Sequence, residues 1–195
     1  MGKNKYLKDI MEFFEASPVV NYRSIEMIVR NKKNVKQYTK QIIRNLLLKG
    51  KIKKLAKGYY TIHDNVNLSF YCFKPSYFGL QDALSHHNLW EQETIPIIIT
   101  VRKVRNGIRK ILGLNVMIRR MFPKYFFGFE YQRDGDFYFP VSDIEKTLID
   151  MVYFNQYMDN ETLEEFKKRI DKKKLKSYLK RYPKKIVSKV NKLLS

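Results

Sequence analysis

Basic side chains recur every three or four residues between positions 33 and 44. This spacing places them along one side of a helix, away from apolar residues that repeat with the same period. Lys and Arg bind phosphate or guanine, and Gln can bind adenine through two hydrogen bonds, so such a helix could read a DNA duplex. The stripe consists of Lys33, Lys36, Lys40 and Arg44, with Gln37 and Gln41 beside it.

The residues around this stripe predict three short helices followed by a hairpin. Apolar residues at helical spacing over 7–14 and 25–29 indicate the first two helices, and Ser24 can cap the second. Asn34 with Gln37 predicts the start of the third helix, and Gly50 its end. Two short strands then flank the tip at 56–58. This order is that of a winged helix-turn-helix.

Further basic groups lie where such a domain touches DNA. Lys53, Lys54 and Lys57 fall on the hairpin, and Arg23 with the amide near Ser24 could hold a phosphate at the second helix. No acidic residue occurs from Asn31 to His63. Two other interpretations stay open: a stripe that is only a solvated helix face, and a winged helix that binds protein.

The overall charge is segregated along the chain. Of 195 residues, 39 are Lys or Arg and 19 are Asp or Glu, which gives a net charge of +20. Residues 1–63 and 166–195 are strongly basic, whereas residues 64–165 are mildly acidic. Such segregation favours a surface that faces a polyanion, with nucleic acid the first candidate and an anionic membrane the second.

Composition also excludes several classes of protein. One cysteine, Cys72, excludes a disulfide scaffold and indicates a reducing compartment. No stretch approaches the ~20 apolar residues that cross a bilayer, and the N-terminus lacks the features of a signal peptide. The sequence therefore predicts a soluble, cytoplasmic protein without a membrane partner.

Residues 64–195 predict a second, α+β domain with a basic helical tail from about residue 160. Strands are expected at 67–73, 95–101 and 115–121, and a helix at 77–87. Asp134-Gly135 predicts a hairpin turn, because this pair favours the required positive φ angles. Ser142 and Glu145 have the spacing of a capping box at the start of a further helix.

Catalytic signatures are weak. No glycine pattern matches a phosphate-binding loop, and the adjacent His86 and His87 point to different sides of a helix. Asp143, Glu145 and Lys146 could hold a metal and activate water, but their spacing differs from that of an Asp…Glu-x-Lys nuclease site. We therefore expect no catalytic residue, metal or cofactor; a metal-dependent nuclease is kept as an alternative, as is a winged-helix adaptor.

Several stretches follow one another in a distinctive order over most of residues 5–155. They are the N-terminal domain ending in Lys57-Gly58-Tyr59-Tyr60, then Ser76-Tyr77, 83–89, the strand 96–101, Phe127-Gly128 and 141–150. In this order and spacing, more than in any single motif, the chain resembles the AbiEi-type antitoxins of type IV toxin–antitoxin and abortive-infection systems.

The resemblance implies a transcriptional repressor that binds repeats in its own promoter, with Lys33–Arg44 as the reading helix and Lys51–Ile62 as the wing. It also implies an antitoxin that counters a nucleotidyltransferase toxin, generally without a stable complex. A winged helix often binds repeated half-sites as a dimer, so a homodimer on DNA is a further expectation. The strongly basic tail, 166–195, departs from the family pattern.

Overall fold

The computed structural model describes residues 6–89, 91–92 and 94–195. These residues form a mixed α+β structure, which confirms the predicted fold class at this level. Two compact units are present. The first comprises the described residues up to Cys72 together with Lys110–Leu114, and the second comprises those of Phe73–Arg109 and Asn115–Ser195.

Helices and a small sheet build the first unit around one apolar core. Strands β1, β3 and β2 form an antiparallel sheet in that order, with Val20 opposite Tyr60. Ile10 and Phe14, one helical turn apart, are fully buried in the core. The elements are α1 (Leu7–Ala16), β1 (Val20–Asn21), α2 (Tyr22–Ile28), α3 (Val35–Leu48), β2 (Lys53–Ala56) and β3 (Tyr59–Thr61).

The helix caps differ in part from the prediction. Gly50 ends α3 with a φ of +64°, a left-handed conformation that glycine adopts without steric cost, as predicted. Asn34 stands at the start of α3, but its side chain makes no capping hydrogen bond. Ser24 does not cap α2, because Asn21 precedes the helix and its side chain accepts from the Ser24 amide at 3.0 Å.

The strand predicted at 67–73 is wrong. Val66–Cys72 is a 3₁₀ helix with Leu68 and Phe70 buried. The Asn65 side chain accepts from the Asn67 amide at 2.8 Å, and the Asn65 carbonyl accepts from the Leu68 amide at 3.3 Å. Such Asx turns start helical rather than extended backbone.

A six-stranded mixed sheet and five helices follow among the described residues. The strand order is β6-β7-β5-β4-β9-β8. The elements are β4 (Ser76–Phe78), α4 (Gln81–His86), β5 (Ile97–Thr100), β6 (Gly107–Ile111), β7 (Leu114–Arg120), β8 (Phe129–Asp134), β9 (Phe137–Ser142), α5 (Ile144–Tyr153), α6 (Asn160–Arg169), α7 (Lys172–Leu179) and α8 (Lys184–Leu194).

The strands at 95–101 and 115–121 and the hairpin at Asp134-Gly135 are confirmed. Parallel pairing joins β5 to β7 and β4 to β9, whereas β8 and β9 pair antiparallel around the turn. The helix predicted over 77–87 is wrong at its start. Ser76–Phe78 is a strand between β5 and β9, and α4 begins only at Gln81, after Leu80 has turned the chain with a φ of +59°.

Helix α5 lies in the core of the second unit, with Glu145 to Val152 all buried. Its cap is Asp143, whose side chain accepts from the Lys146 amide at 2.8 Å, so the predicted capping box of Ser142 and Glu145 is wrong. Separately, no helix in the described part of the chain is long and apolar enough to cross a membrane.

The tail is helical, as predicted, and it is packed onto the second unit. Phe166 of α6, Leu175 and Leu179 of α7 and Val190 of α8 all belong to the same buried cluster as Leu148 of α5. The apolar positions of the tail thus complete the core of this unit, which leaves its lysines on the outside.

A buried carboxyl makes the stability of the second unit depend on pH. Burial raises the pKa of Asp82 from 3.8 to about 7, although the Ile97 amide donates to its Oδ2 at 3.0 Å. The folded state therefore keeps a proton that the unfolded chain has already lost between about pH 4 and pH 7. We expect the free energy of unfolding to fall by about 2–4 kcal/mol over this interval.

The check is urea unfolding of the wild type and Asp82→Asn at a series of pH values. Asparagine keeps an acceptor for the Ile97 amide but cannot ionise, so its curve should lack the part of the decline due to Asp82. The difference between the two proteins isolates Asp82 from His86, whose pKa burial lowers. Parallel curves for both proteins would contradict the assignment.

Candidate nucleic-acid interface

Helix α3 exposes the predicted basic stripe. Lys36, Lys40 and Arg44 are exposed and span about 80° of the helix circumference at 3.6 residues per turn. Lys33, just before the helix, is exposed as well. The buried Thr39, Ile43 and Leu46 lie on the adjoining side, roughly a quarter-turn from the stripe. Packing therefore fixes the rotation of α3 so that the cations face solvent.

The two glutamines lie on the same exposed side. Gln37 and Gln41 are both exposed, and each comes directly after a lysine of the stripe, Lys36 or Lys40. Leu48 continues this face one turn after Arg44 and is 76% exposed, a feature that the sequence reasoning missed. An apolar side chain on such a face can contact the methyl group of thymine.

The charge of this surface is not compensated. Among the residues that the structure describes, no carboxylate lies within 4.0 Å of the charged groups of Lys36, Lys40 or Arg44. The helix itself contains no acidic residue. An exposed cationic face without internal partners attracts polyanions and releases their counterions on binding.

Helix α2 fixes the start of α3 and the hairpin tip. The Tyr22 hydroxyl donates to the Lys36 carbonyl at 3.2 Å, and the Tyr22 amide donates to the Gly58 carbonyl at 2.8 Å. Burial, with the nearby Glu26 carboxylate, raises the pKa of Tyr22, which keeps its hydroxyl protonated as a donor. One residue therefore links all three segments that carry the candidate interface.

A shallow depression of about 420 Å³ lies at the N-terminus of α3. Lys33, Lys36 and Gln37 line it, together with the residues at the helix start. Asn34 makes no capping bond, so its side chain does not satisfy the first-turn amides of α3. This geometry suits a phosphate, since helix N-termini and lysines both favour negative charge.

The hairpin presents two of its three predicted lysines. Lys54 and Lys57 are exposed, the latter at the turn between β2 and β3. Lys53 is instead engaged by Asp64 in an ion pair. Asp64 is the first residue after the acid-free stretch that ends at His63, so its proximity to Lys53 depends on the hairpin and not on sequence neighbourhood.

The predicted contacts at α2 are only partly free. Arg23 is exposed, whereas Ser24 is half-buried. The Ser24 amide already donates to Asn21, so in this structure it is not free to hold a phosphate. Arg23 and the Ser24 hydroxyl remain the groups through which this helix could reach a DNA backbone.

The three residues of the nuclease alternative are engaged in other contacts. Asp143 caps α5, accepts from the Tyr178 hydroxyl at 2.8 Å and pairs with Lys174 at 3.2 Å. Glu145 accepts from the Asp171 amide at 2.9 Å and pairs with the same lysine at 3.2 Å. Within the described ranges, no three His, Cys, Asp or Glu side chains are grouped to hold a metal.

Lys146, the third of these residues, is fully buried and pairs with a different group. Its Nζ pairs with Asp150 and donates to the Tyr77 hydroxyl at 2.9 Å, and that hydroxyl donates to Asp150 at 2.6 Å. Burial lowers the pKa of Lys146 and raises the pKa of Asp150, and the charge of each opposes the shift of the other. We call these three residues the buried triad.

The histidines lie apart, as predicted. His87 Nε2 donates to the Ser142 carbonyl at 2.6 Å. His86 Nε2 lies 3.9 Å from Asp82 Oδ1, which is beyond hydrogen-bond distance. The two rings therefore serve different contacts and form no common site.

Comparison with known proteins identifies no family for this chain. It matches none of the models of known protein families, and no curated protein is significantly similar to it in sequence. The geometry of α3 and the hairpin is therefore the basis for assigning a function.

Proposed function

We propose that this protein is a sequence-specific, double-stranded DNA-binding transcriptional regulator. In this proposal the first unit is a winged helix-turn-helix, with α3 as the recognition helix and the β2–β3 hairpin as the wing. The observation that carries the proposal is the exposed face of α3, which combines two glutamines with three cations that have no ion-pair partner among the described residues. This combination supplies both backbone affinity and base recognition.

In this proposal, α3 and the hairpin contact different parts of the duplex. Helix α3 enters the major groove, where Gln37 and Gln41 contact base edges and Lys36, Lys40 and Arg44 contact phosphates or guanine. Lys54 and Lys57 of the wing touch the neighbouring backbone or minor groove. Lys53 contributes less, because DNA would have to displace Asp64 from it.

Selection from a random duplex library tests the proposal. The full chain should enrich a defined motif, and the enriched duplex should bind more tightly than a shuffled one by about 10³-fold or more. Affinity should also fall steeply as salt rises. Binding that is insensitive to salt, or the absence of any enriched motif, would contradict sequence-specific recognition.

The glutamines should determine the preferred sequence rather than the overall affinity. Gln37→Ala or Gln41→Ala is expected to cost about 1–3 kcal/mol on the selected duplex, because a bidentate contact to adenine is lost. Affinity for a shuffled duplex should hardly change. Binding of both variants to both duplexes, measured by fluorescence anisotropy, checks this.

Asn45→Ala is the matched control. It removes an exposed side-chain amide from the same helix, one turn after Gln41 and about 40° farther around the helix axis. It should leave discrimination between the two duplexes intact. Equal loss in the asparagine and glutamine variants would mean that neither glutamine reads a base.

The AbiEi resemblance extends the proposal to autoregulation and antitoxin activity. On this reading the protein binds repeats in its own promoter, with two copies on paired half-sites, and counters a nucleotidyltransferase toxin without a stable complex. The test is genetic: a neighbouring gene for a nucleotidyltransferase should arrest growth when expressed alone and not when coexpressed with this chain. Arrest that persists on coexpression would remove the antitoxin part and leave the DNA-binding part standing.

A further inference from the structure

The two last helices enclose a groove in the second unit. It has a volume of about 960 Å³, and we call it the tail groove. Its floor is apolar and one edge is basic. The residues that define it are Leu175, Leu179 and Val187 on the floor and Lys172, Lys176 and Lys180 on the edge.

The basic edge is a regular stripe. Its three lysines are four residues apart along α7 and its C-terminal end, so they project from one side of the helix, and all three are exposed. Lys184, at the start of α8, also lines the groove. Among the described residues, no carboxylate lies within 4.0 Å of any of these four side chains.

Lys174 on the same helix shows the contrast. It faces the body of the unit and pairs with Asp143 and Glu145. Partial burial would lower its pKa, but the two carboxylates raise the pKa overall. Among the lysines of α7, Lys174 therefore makes the ion pairs that attach the helix, and those of the groove edge make none with the described residues.

The floor is recessed. Leu175 and Leu179 are only 5% and 7% exposed, and Val187 of α8 is half-buried beside them. The opposite edge is less charged, with Ser188 and Asn191 of α8 and one lysine, Lys184, at its start. The groove thus has one strongly basic edge, one mainly neutral edge and an apolar base.

The dimensions fit a short helix. With 8 residues in α7 and 11 in α8, the walls are about 12 and 16 Å long at 1.5 Å per residue. An occupant of two to three helical turns would lie along them. Its apolar side chains at i, i+3/i+4 and i+7 would contact the floor.

We propose that the tail groove binds an acidic amphipathic segment of a partner protein. Apolar side chains of the segment contact the floor, where Val187 is the more accessible residue, and Asp or Glu side chains on one flank pair with the lysine edge. The unequal charge of the two edges favours one orientation, because the flank of the occupant that faces α7 gains more from being acidic.

The geometry favours such a segment over the other polyanions. DNA phosphates would use the lysines but gain nothing from a recessed apolar floor. A membrane surface could attract the lysines, but a flat bilayer cannot reach leucines that lie at the bottom of a groove. Both are outcomes that the experiment distinguishes.

The probe is a designed, fluorescently labelled helical peptide of about 14 residues, with leucines on one face and glutamates on one flank. Three matched probes accompany it: the same peptide with serine for leucine, the same peptide with lysine for glutamate, and a shuffled DNA duplex. Binding to the full chain is measured by anisotropy. The first peptide should bind at least about tenfold more tightly than either altered peptide.

Variants then assign the binding to the groove. Lys172→Ala/Lys176→Ala/Lys180→Ala should weaken binding of the acidic peptide about tenfold or more, as three exposed ion pairs are lost. Ser188→Trp should weaken it similarly by filling the groove from an exposed position. The control Lys185→Ala/Lys189→Ala/Lys192→Ala removes the same charge from the other side of α8 and should bind within about twofold of wild type.

Amide chemical-shift changes in the full chain should cluster on α7 and α8. Three results would each overturn the proposal: equal binding of the leucine and serine peptides, undiminished binding by the groove variants, or shift changes that map to α3. Complete competition by the shuffled duplex or by anionic vesicles through the same lysines would assign the groove to those ligands instead.

Discussion

Lys36→Ala/Lys40→Ala/Arg44→Ala is expected to weaken duplex binding about hundredfold at about 150 mM salt. The three side chains form the unpaired cationic face of α3, so each loss removes one phosphate or guanine contact together with the counterion that it releases. The slope of log Kobs against log salt should become shallower by about 2.7, that is, 0.9 for each contact. Anisotropy titrations at several salt concentrations measure both quantities.

Lys185→Ala/Lys189→Ala/Lys192→Ala is the charge-matched control for this experiment too. It lowers the net charge by the same amount but acts on α8, outside the proposed interface. If the control loses as much affinity as the α3 variant, the protein binds DNA through overall charge alone. An unchanged affinity and slope in the α3 variant would remove α3 from the interface.

The second large effect concerns stability. Lys146→Met is expected to lower the free energy of unfolding by about 3–5 kcal/mol, because it leaves Asp150 buried without its cation, so that the carboxyl must either stay charged in the core or take up a proton. The Tyr77 hydroxyl remains as a donor to Asp150, but one neutral hydrogen bond does not compensate for a buried charge. Urea unfolding followed by circular dichroism gives the value.

Lys146→Met/Asp150→Leu/Tyr77→Phe removes all polar members of the buried triad at once. This variant should be clearly more stable than Lys146→Met, since it leaves no member of the triad with a buried polar group that has lost its partner. Such non-additivity is the signature of a coupled buried network. A triple variant that is less stable than Lys146→Met would mean that the interactions within the triad add more to stability than the burial of its polar groups costs.

The sequence predicted the first unit well because its signals are local. The apolar period of α3, Gly50 after it and the tip at Gly58 each concern residues within one element or turn. The exposure of the stripe could be predicted for the same reason: an amphipathic helix buries one side and exposes the other. The exposure of the lysines, the arginine and the two glutamines of α3 therefore agrees with the expectation, whereas the exposed Leu48 on the same helix was not predicted.

Contacts between distant segments could not be predicted in this way. The pairing of Lys53 with Asp64 needs the hairpin to be folded, and Lys146 meets Tyr77 from 69 residues away. Residues 66–72 show a different limit: their apolar, β-prone composition suits a strand, but the Asn65 side chain starts a 3₁₀ turn. Side-chain bonds to the backbone here outweigh residue propensity.

Asp143 has a consequence for any shortened form of this protein. Its side chain caps α5 and also binds Lys174 and Tyr178 of α7. Glu145 accepts from the amide of Asp171, the residue just before α7. Removal of the chain from residue 171 onward would leave the nearly buried carboxylates of Asp143 and Glu145 without the Lys174 ammonium that pairs with both. The lysine-rich segment therefore cannot be trimmed as a dispensable appendage, and its contribution to binding has to be dissected by point substitution.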